Sequence, residues 1–511
     1  MARRAVTIGG GLPRWPGIAA AVLVLVLTFG TLAAVAIRGQ GAVVTAADWA
    51  AIRFTLLQAG LSAVISVGLA IPVARALARR RFRARGLLLT LLGAPFILPV
   101  TVAIFGLLAV FGGNSVLSTL LGWAGWPPVS IYGLHGVVLA HVFFNLPLAT
   151  RLILQGWLAI PAERFRLAAT LDAPVFRLLE WPMLRVVVPG ALAIVFLLCL
   201  TSFATALILG GGPRATTIEL AIYQALRFDF DPGHAAALAC VQFAICAVVA
   251  GVAWGISAPD GLGAGLDRVV DRWDAGGRGI DAVVITLAAL FLLLPLTMVI
   301  WRGVPGLTEM PASVWAAALR SLMVALGSVA LMLVLGLGLA LRPGRWMGGI
   351  GMLPLATSSL VMGTGLFLLL QPFTAPALAA LPVTLLVNAV MSLPFTQQTL
   401  GPAVTQAEAG YGRLATQLGL TGWARQRWLI LPRLRRPIGF SAGLTAALSM
   451  GDLGVIALFA SDRSETLPLA MSRLMGAYRM EAAAGAGLLL LILSLGLFWL
   501  FDRGGRMHAA T

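Results

Sequence analysis

The sequence has no lysine: all 36 basic residues are arginine. Acids are scarcer still, at 19, and charged residues make up only 11% of the 511 positions. There are three cysteines, four histidines and no glycine-rich phosphate loop. Each scarcity excludes something. So little charge, beside 59% hydrophobic residues and a mean hydropathy of +0.96, excludes a soluble domain. The same hydropathy excludes an outer-membrane barrel, whose alternating strands average near neutral. Without a phosphate loop the chain has no nucleotide site of its own. Cys199, Cys240 and Cys246 fall inside apolar runs and read as small core residues, not ligands or a disulfide. The histidines lack metal-ligand spacing, so no metal or other cofactor is expected. A formal charge of +17 invites a nucleic-acid partner. Arginine without lysine, amid abundant alanine and glycine, reads instead as compositional bias.

What is present is a series of long apolar runs. The reading is an all-α integral membrane protein with twelve spans, at about 17–37, 53–77, 87–111, 131–152, 186–209, 234–257, 280–301, 315–341, 347–370, 376–399, 437–460 and 482–501. The first run is longer than the usual core of a cleaved signal and is expected to be a membrane helix. Threading the spans from an N-terminus inside puts 27 arginines in inside segments and the other nine in outside loops and outer helix ends. That bias predicts both termini in the cytoplasm of a multi-pass inner-membrane protein.

A Gly- and charge-rich stretch at 258–278 reads as a cytoplasmic linker between a first half, 1–257, and a second, 279–511. Leu146-Pro147 matches Leu393-Pro394, Leu171 matches Leu418 and Ser202 matches Ser449, each at an offset of 247. ATTIELAIYQAL resembles SETLPLAMSRLM at an offset near 249. The halves are therefore two parallel six-helix repeats.

Each half has a polar interlude between its fourth and fifth spans, at about 160–182 and 405–432. The second contains RLATQLGLTGWARQRWLILP, Arg413 to Pro432. Leu414 and Leu418 make a short apolar face at i, i+4, and Gly419 stops the helix. A second short helix comes next, and Pro432 begins the return to the apolar run. The first interlude carries RLAATLDAPVFRLLEWP, with Arg166, Leu167, Ala168, Leu171 and Asp172 at the corresponding places. A single copy would read as an ordinary positive-inside loop. Two copies suggest paired contacts with a two-fold partner.

The second interlude resembles the loop that marks permease subunits of ABC importers. Leu418-Gly419 and Ile430-Leu431-Pro432 keep that family's spacing, and Ala415 matches its second alanine. Arg413 replaces its glutamate and Leu414 its first alanine. In the first interlude Arg166 replaces the glutamate and Asp172 the glycine, and the distance to Trp181-Pro182 is three residues shorter, which suggests a knob bent differently. The likeness narrows at Thr201 to Ala239, Asn145 to Gln155, Leu179 to Arg185 and Leu448 to Phe459. These are similar to the double-length permeases for thiamine and thiamine pyrophosphate. Fused permeases for ferric iron and small anions share the layout; GGGPRATTIELAIYQAL separates them.

The resemblance implies the type I importer permease fold, two ATPase subunits bound at the interludes, and a soluble binding protein outside. It implies no catalysis by this chain. Twelve helices also suit a secondary transporter, but that class uses several charges within its spans, and here Asp452 stands alone. A channel or scaffold lacks a pore motif. Asp452 either lines the path, where a carboxylate favours a cationic thiazolium, or is structural, capping a broken helix or pairing with an arginine. Thr205, taken as its counterpart at offset 247, and Asn145 are further path candidates. Asn145 and His141 suit interhelical hydrogen bonds as well. Glu219, Tyr223, Asp229 and Asp231 form either a docking surface for the binding protein or a solvated loop. Trp123, Trp126 and Trp301 read as interfacial belt residues, and Arg79 to Arg85 as a topological signal.

Overall fold

A computed structural model describes residues 15–41, 44–93, 97–113, 115–127, 130–212, 215–255, 276–342, 345–459, 461 and 464–507. Most of the expected linker lies outside the described residues. Every regular element among them is helical.

The order of elements runs twice. The first series is α1 (Trp15–Arg38), α2 (Ala46–Arg79), a broken pair α3 (Arg85–Leu91) and α4 (Val100–Phe111), α5 (Leu134–Leu158), a short α6 (Ala162–Thr170), α7 (Trp181–Leu200), α8 (Phe203–Leu209), α9 (Ile218–Arg227) and α10 (Pro232–Gly255). The second is α11 (Arg278–Gly306), α12 (Ala312–Ala340), a broken pair α13 (Arg345–Met352) and α14 (Ser359–Leu370), α15 (Pro376–Met391), α16 (Leu393–Gln417), α17 (Gly422–Arg425), α18 (Leu431–Met450), α19 (Gly454–Phe459), α20 (Leu467–Gly476) and α21 (Met480–Met507).

Among the described residues nine helices are long and apolar enough to cross a membrane. Two further pairs pass only when joined across a bend: 90° between Ala356 and Ser359, and 40° between Met391 and Leu393. The twelfth expected span, 87–111, is divided between α3 and the short apolar α4. Sequence periodicity does not register such breaks, because both sides of each remain apolar. The Pro376–Met391 helix bends at Ser392, just before Pro394, which has no amide to give to the ladder.

The first helix of each series crosses to the other half. α1 packs on α12, α13 and α14, while α11 packs on α2 and α4 as well as α21. Glycine allows the close approach. A Cβ on Gly106 of α4 would lie 2.6 Å from the Pro295 carbonyl oxygen of α11. One on Gly365 of α14 would lie 2.6 Å from the Thr31 carbonyl oxygen of α1. Both crossings are thus backbone against bare backbone, the arrangement favoured when helices associate in lipid. The two large apolar clusters accordingly mix residues of both series: Val24, Phe203, Leu360 and Leu453 share one, and Leu107, Leu292 and Met471 the other.

At the arginine-rich end, Asp281 of α11 accepts from Arg79 Nη2 at 2.6 Å and from Arg80 Nε at 2.5 Å. Arg85 is buried and donates to the Leu77 carbonyl at 3.2 Å. Arg79 and Arg80 therefore also fasten α2 to α11, and Arg85 fastens α3 to α2. Substituting Gly365 with valine should push α1 off α14 and cost about 1–3 kcal/mol, the usual range for overpacking. Thermal unfolding in detergent should then shift down, and an unchanged midpoint would contradict this account of the crossing.

Candidate functional site

Two regions carry the candidate residues: a pair of knobs at the arginine-rich end, and a central junction where helix breaks from both series meet.

The first knob is α6. Phe165 and Ala168 face inward, while Arg166, Leu167 and Leu171 are exposed, the two leucines at 60% and 67%. The second is the end of α16. Ala415 faces inward, while Arg413, Leu414 and Leu418 are exposed, the leucines at 51% and 67%. Both end in the same cap. The Ala173 amide donates to the Ala168 carbonyl at 2.8 Å and the Leu420 amide to the Ala415 carbonyl at 2.9 Å, the six-to-one bond of a Schellman turn. Asp172 has φ 47° and Gly419 φ 68°, so both occupy the left-handed region that this turn requires.

This corrects one expectation. Loss of the glycine at 172 leaves the knob's shape unchanged, because aspartate tolerates the left-handed conformation better than most residues. The three-residue difference lies further on. A π-helical turn comes next in both copies, Phe176–Glu180 and Gln426–Ile430, but only the second has the four-residue helix α17 before it. From that point the copies are related by 250, not 247: Trp181 corresponds to Leu431, Pro182 to Pro432, and the last helical residue Leu200 to Met450.

Each knob is tied down differently. Arg75 of α2 donates through Nε to both oxygens of the fully buried Glu180, at 2.9 and 3.1 Å. The corresponding Ile430 is buried among aliphatic side chains, and the fastening falls to an Arg425–Glu408 ion pair between α17 and α16. Sequence reasoning missed Glu180; the signal was a lone acid just before the Trp-Pro return.

At the junction both fifth helices break. α7 ends at Leu200 and α8 starts at Phe203; α18 ends at Met450 and α19 starts at Gly454. Carbonyls freed by the first break are taken up by side chains: Gln58 donates to Cys199 at 2.9 Å and Gln242 to Leu200 at 3.0 Å. Of the break residues, Asp452 takes an amide at the start of the short helix beyond it, whereas Ser202 meets only a side chain. Ser202 Oγ and Thr205 Oγ1 are 2.6 Å apart, and Asp452 Oδ1 accepts from the Gly454 amide at 3.3 Å. With the offset at 250, Asp452 corresponds to Ser202 and not to Thr205, which is buried against Ser202.

Asn145 donates to the His141 carbonyl at 2.9 Å and to Cys199 Sγ at 3.3 Å. His141 Nδ1 meets Ser62 Oγ at 3.2 Å. The second half has the same constellation in other residues: Asn388 donates to Ser449 at 3.0 Å, and Ser449 lies 3.2 Å from Ser328. Asn145 therefore makes the interhelical hydrogen bond that its residue type suits.

At the opposite end, α9 and α20 are held alike. The Ile218 amide donates to Thr55 at 2.9 Å and the Leu467 amide to Ser321 at 2.8 Å. Of the four candidate docking residues, Asp229 and Asp231 are exposed, and Asp231 also caps α10 through the His234 amide at 2.9 Å. Tyr223 is half-buried against Phe203 and Phe228. Glu219 is 2% exposed and points into the molecule. It is removed from the docking face: its place in the first turn of α9 is the side packed inward.

Substituting Asp172 with glycine should leave the cap intact and stabilise the protein by up to about 1 kcal/mol, by removing the left-handed penalty. Gly419→Val should destabilise it by about 1–2 kcal/mol. Thermal unfolding in detergent checks both signs.

No protein-family model matches the chain. It is 39% identical over 535 residues to the thiamine transport system permease protein ThiP of Salmonella typhimurium, with 98% of each chain covered. It is 41% identical over 479 residues to the protein of the same name from Escherichia coli K12, with 89% of each covered. A provisionally named 2-aminoethylphosphonate transport system permease protein from Salmonella paratyphi A is 25% identical over 246 residues, covering 92% of that protein but 44% of this chain.

Proposed function

The chain belongs to the thiamine transport system permease family, and from that premise we propose that it forms the membrane path of an ATP-driven importer for thiamine and its phosphates. Two ATPase subunits bind at the arginine-rich end, which faces the cytoplasm together with both termini. A soluble binding protein delivers the substrate from outside, where Asp229 and Asp231 are available to it. The chain consists of two parallel halves, 1–257 and 279–511, joined by the linker at 258–278. No bond is made or broken in this chain, and hydrolysis belongs to the partners.

The observation that carries this reading is the pair of knobs. Each presents two leucines one helical turn apart to solvent, on a helix closed by the same cap. Exposed apolar patches repeated on a polar end mark a docking surface for a partner with matching two-fold symmetry. The same chain has no phosphate loop, so its energy source must be a partner. Arg166, Ala168, Arg413 and Ala415 flank the leucines and shape the seat.

The mechanism rests on how the knobs are fastened. ATP-driven closure of the partners moves α6 and the end of α16. The π-helical turns pass this motion to α7 and α18, whose far ends are the helix breaks of the junction. Glu180 joins the first knob to α2 through Arg75, and Arg79 on the next turn of α2 joins Asp281 of the other half. The junction then changes which side it opens to, and a weakly held substrate passes.

In reconstituted vesicles, uptake should stop with vanadate and survive an uncoupler; the reverse pattern would mean a secondary transporter. The partner binding protein should bind thiamine tightly, and tight ferric binding with none for thiamine would overturn the substrate assignment. Leu171→Asp with Leu418→Asp should place two charges in an apolar seat and lower ATPase co-purification at least about tenfold. Undiminished co-purification would remove the knobs from the coupling role.

A further inference from the structure

Two carboxylates at the central junction each keep one buried oxygen that the fold leaves unpartnered. Glu219 comes from the first half and is 2% exposed. It accepts from the Ser358 hydroxyl, while its Oε1 is buried without a hydrogen-bond partner. Asp452 comes from the second half. Its carboxylate receives the Gly454 amide and is also held by the Val455 amide and Asn388, while its Oδ2 is buried without a partner at hydrogen-bond distance. Neither forms an ion pair among the described residues.

The two acids share one place. Ser358 and Ser359 are consecutive residues at the 90° bend before α14. Ser358 holds Glu219, and it also accepts the Val361 amide at 3.1 Å, so its position is fixed by the helix start. A Cβ built on Gly454 would find Ser359 Oγ at 3.3 Å, Asp452 Oδ1 at 3.7 Å and Phe203 Cδ1 at 3.9 Å. Phe203 packs on Tyr223 with ring centroids 5.3 Å apart, and Tyr223 is on the same short helix as Glu219. Gly451 abuts Pro99, at the break before α4. Breaks from both halves therefore converge here, with an acid from each side and two aromatic rings beside them.

A carboxylate oxygen buried without a partner is costly. In a membrane protein such an acid is normally paired, neutralised or functional. The geometry points to Glu219 as a specificity residue of the path that acts with Asp452 to select a cation with an aromatic face. Such a solute would take the unpartnered Oε1 and Oδ2 as counter-charge and lay its ring against Phe203 and Tyr223. The thiazolium of thiamine has both properties, so this inference rests on the thiamine reading.

The test uses the whole transporter in vesicles with its ATPase and binding protein. Two substrates are compared: thiamine, and an analogue with a neutral thiophene ring in place of the thiazolium. Delivery by the binding protein is common to all variants, so the variant-to-wild-type ratio isolates the permease. Glu219→Gln should lower thiamine uptake at least about tenfold, as expected for losing one member of a desolvated charge pair. Uptake of the neutral analogue should change less than about twofold under the same loss. Glu219→Asp should recover part of the thiamine rate, and Asp452→Asn should show the same selectivity shift. An equal fall for both substrates, or no fall, in both Glu219→Gln and Asp452→Asn would overturn the inference. If wild type moved neither compound while its ATPase still responded to the binding protein, the thiamine reading itself would fail.

Discussion

Lipid offers no hydrogen bonds, so a polypeptide that crosses it must satisfy its own backbone at every depth. Unbroken helices do this without help. This fold departs from them at the junction, and each departure needs a side chain to meet the amide or carbonyl it leaves free. Gln58 and Gln242 reach the carbonyls at the end of α7. Asp452 takes an amide of α19, Ser358 one of α14, Thr55 one of α9 and Ser321 one of α20. A sparse set of polar residues on otherwise apolar helices is thus what permits the chain to break where the halves meet. The junction can exist only because these residues do.

The division between what could be read from the sequence and what could not has the same origin. Helical class and most of the spans came from the length of apolar runs, a signal that survives small errors. The knobs were legible because charge, a Leu-Gly stop and a Leu-Pro return recur at nearly constant spacing. The helix breaks were not, because Thr201-Ser202 and Gly451-Asp452 sit between segments equally apolar on both sides. Glu219 misled for a related reason. Acids near a loop look solvated, and only three-dimensional packing shows that one face of a ten-residue helix carries its acid inward. The pairing of Asp452 with Thr205 failed on arithmetic: the repeat slips by the three extra residues at α17, and a single offset cannot describe it.

The halves agree in geometry more than in chemistry. The His141, Ser62 and Cys199 cluster in one becomes Asn388, Ser328 and Ser449 in the other. The aspartate at one cap stands where glycine stands at its twin. The buried Glu180 has Ile430 as its counterpart, and the ion pair to Asp281 fastens only one long helix. Fusion of both copies into one chain permits this. Each copy is free to drift in its side chains while the backbone pattern stays common.

The exchange of α1 and α11 has a consequence for how the protein is made. α1 meets α10 of its own half, but most of the surface it covers belongs to α12, α13 and α14, none of which begins before Ala312. During synthesis most of the contact face of α1 must wait uncovered in the bilayer. Its outward face is already apolar, with Ile18, Val22, Val26 and Phe29 turned to lipid, so the waiting state is tolerable. The first half therefore cannot finish folding before the second is inserted, and assembly is sealed only when the earliest helix meets partners made far later.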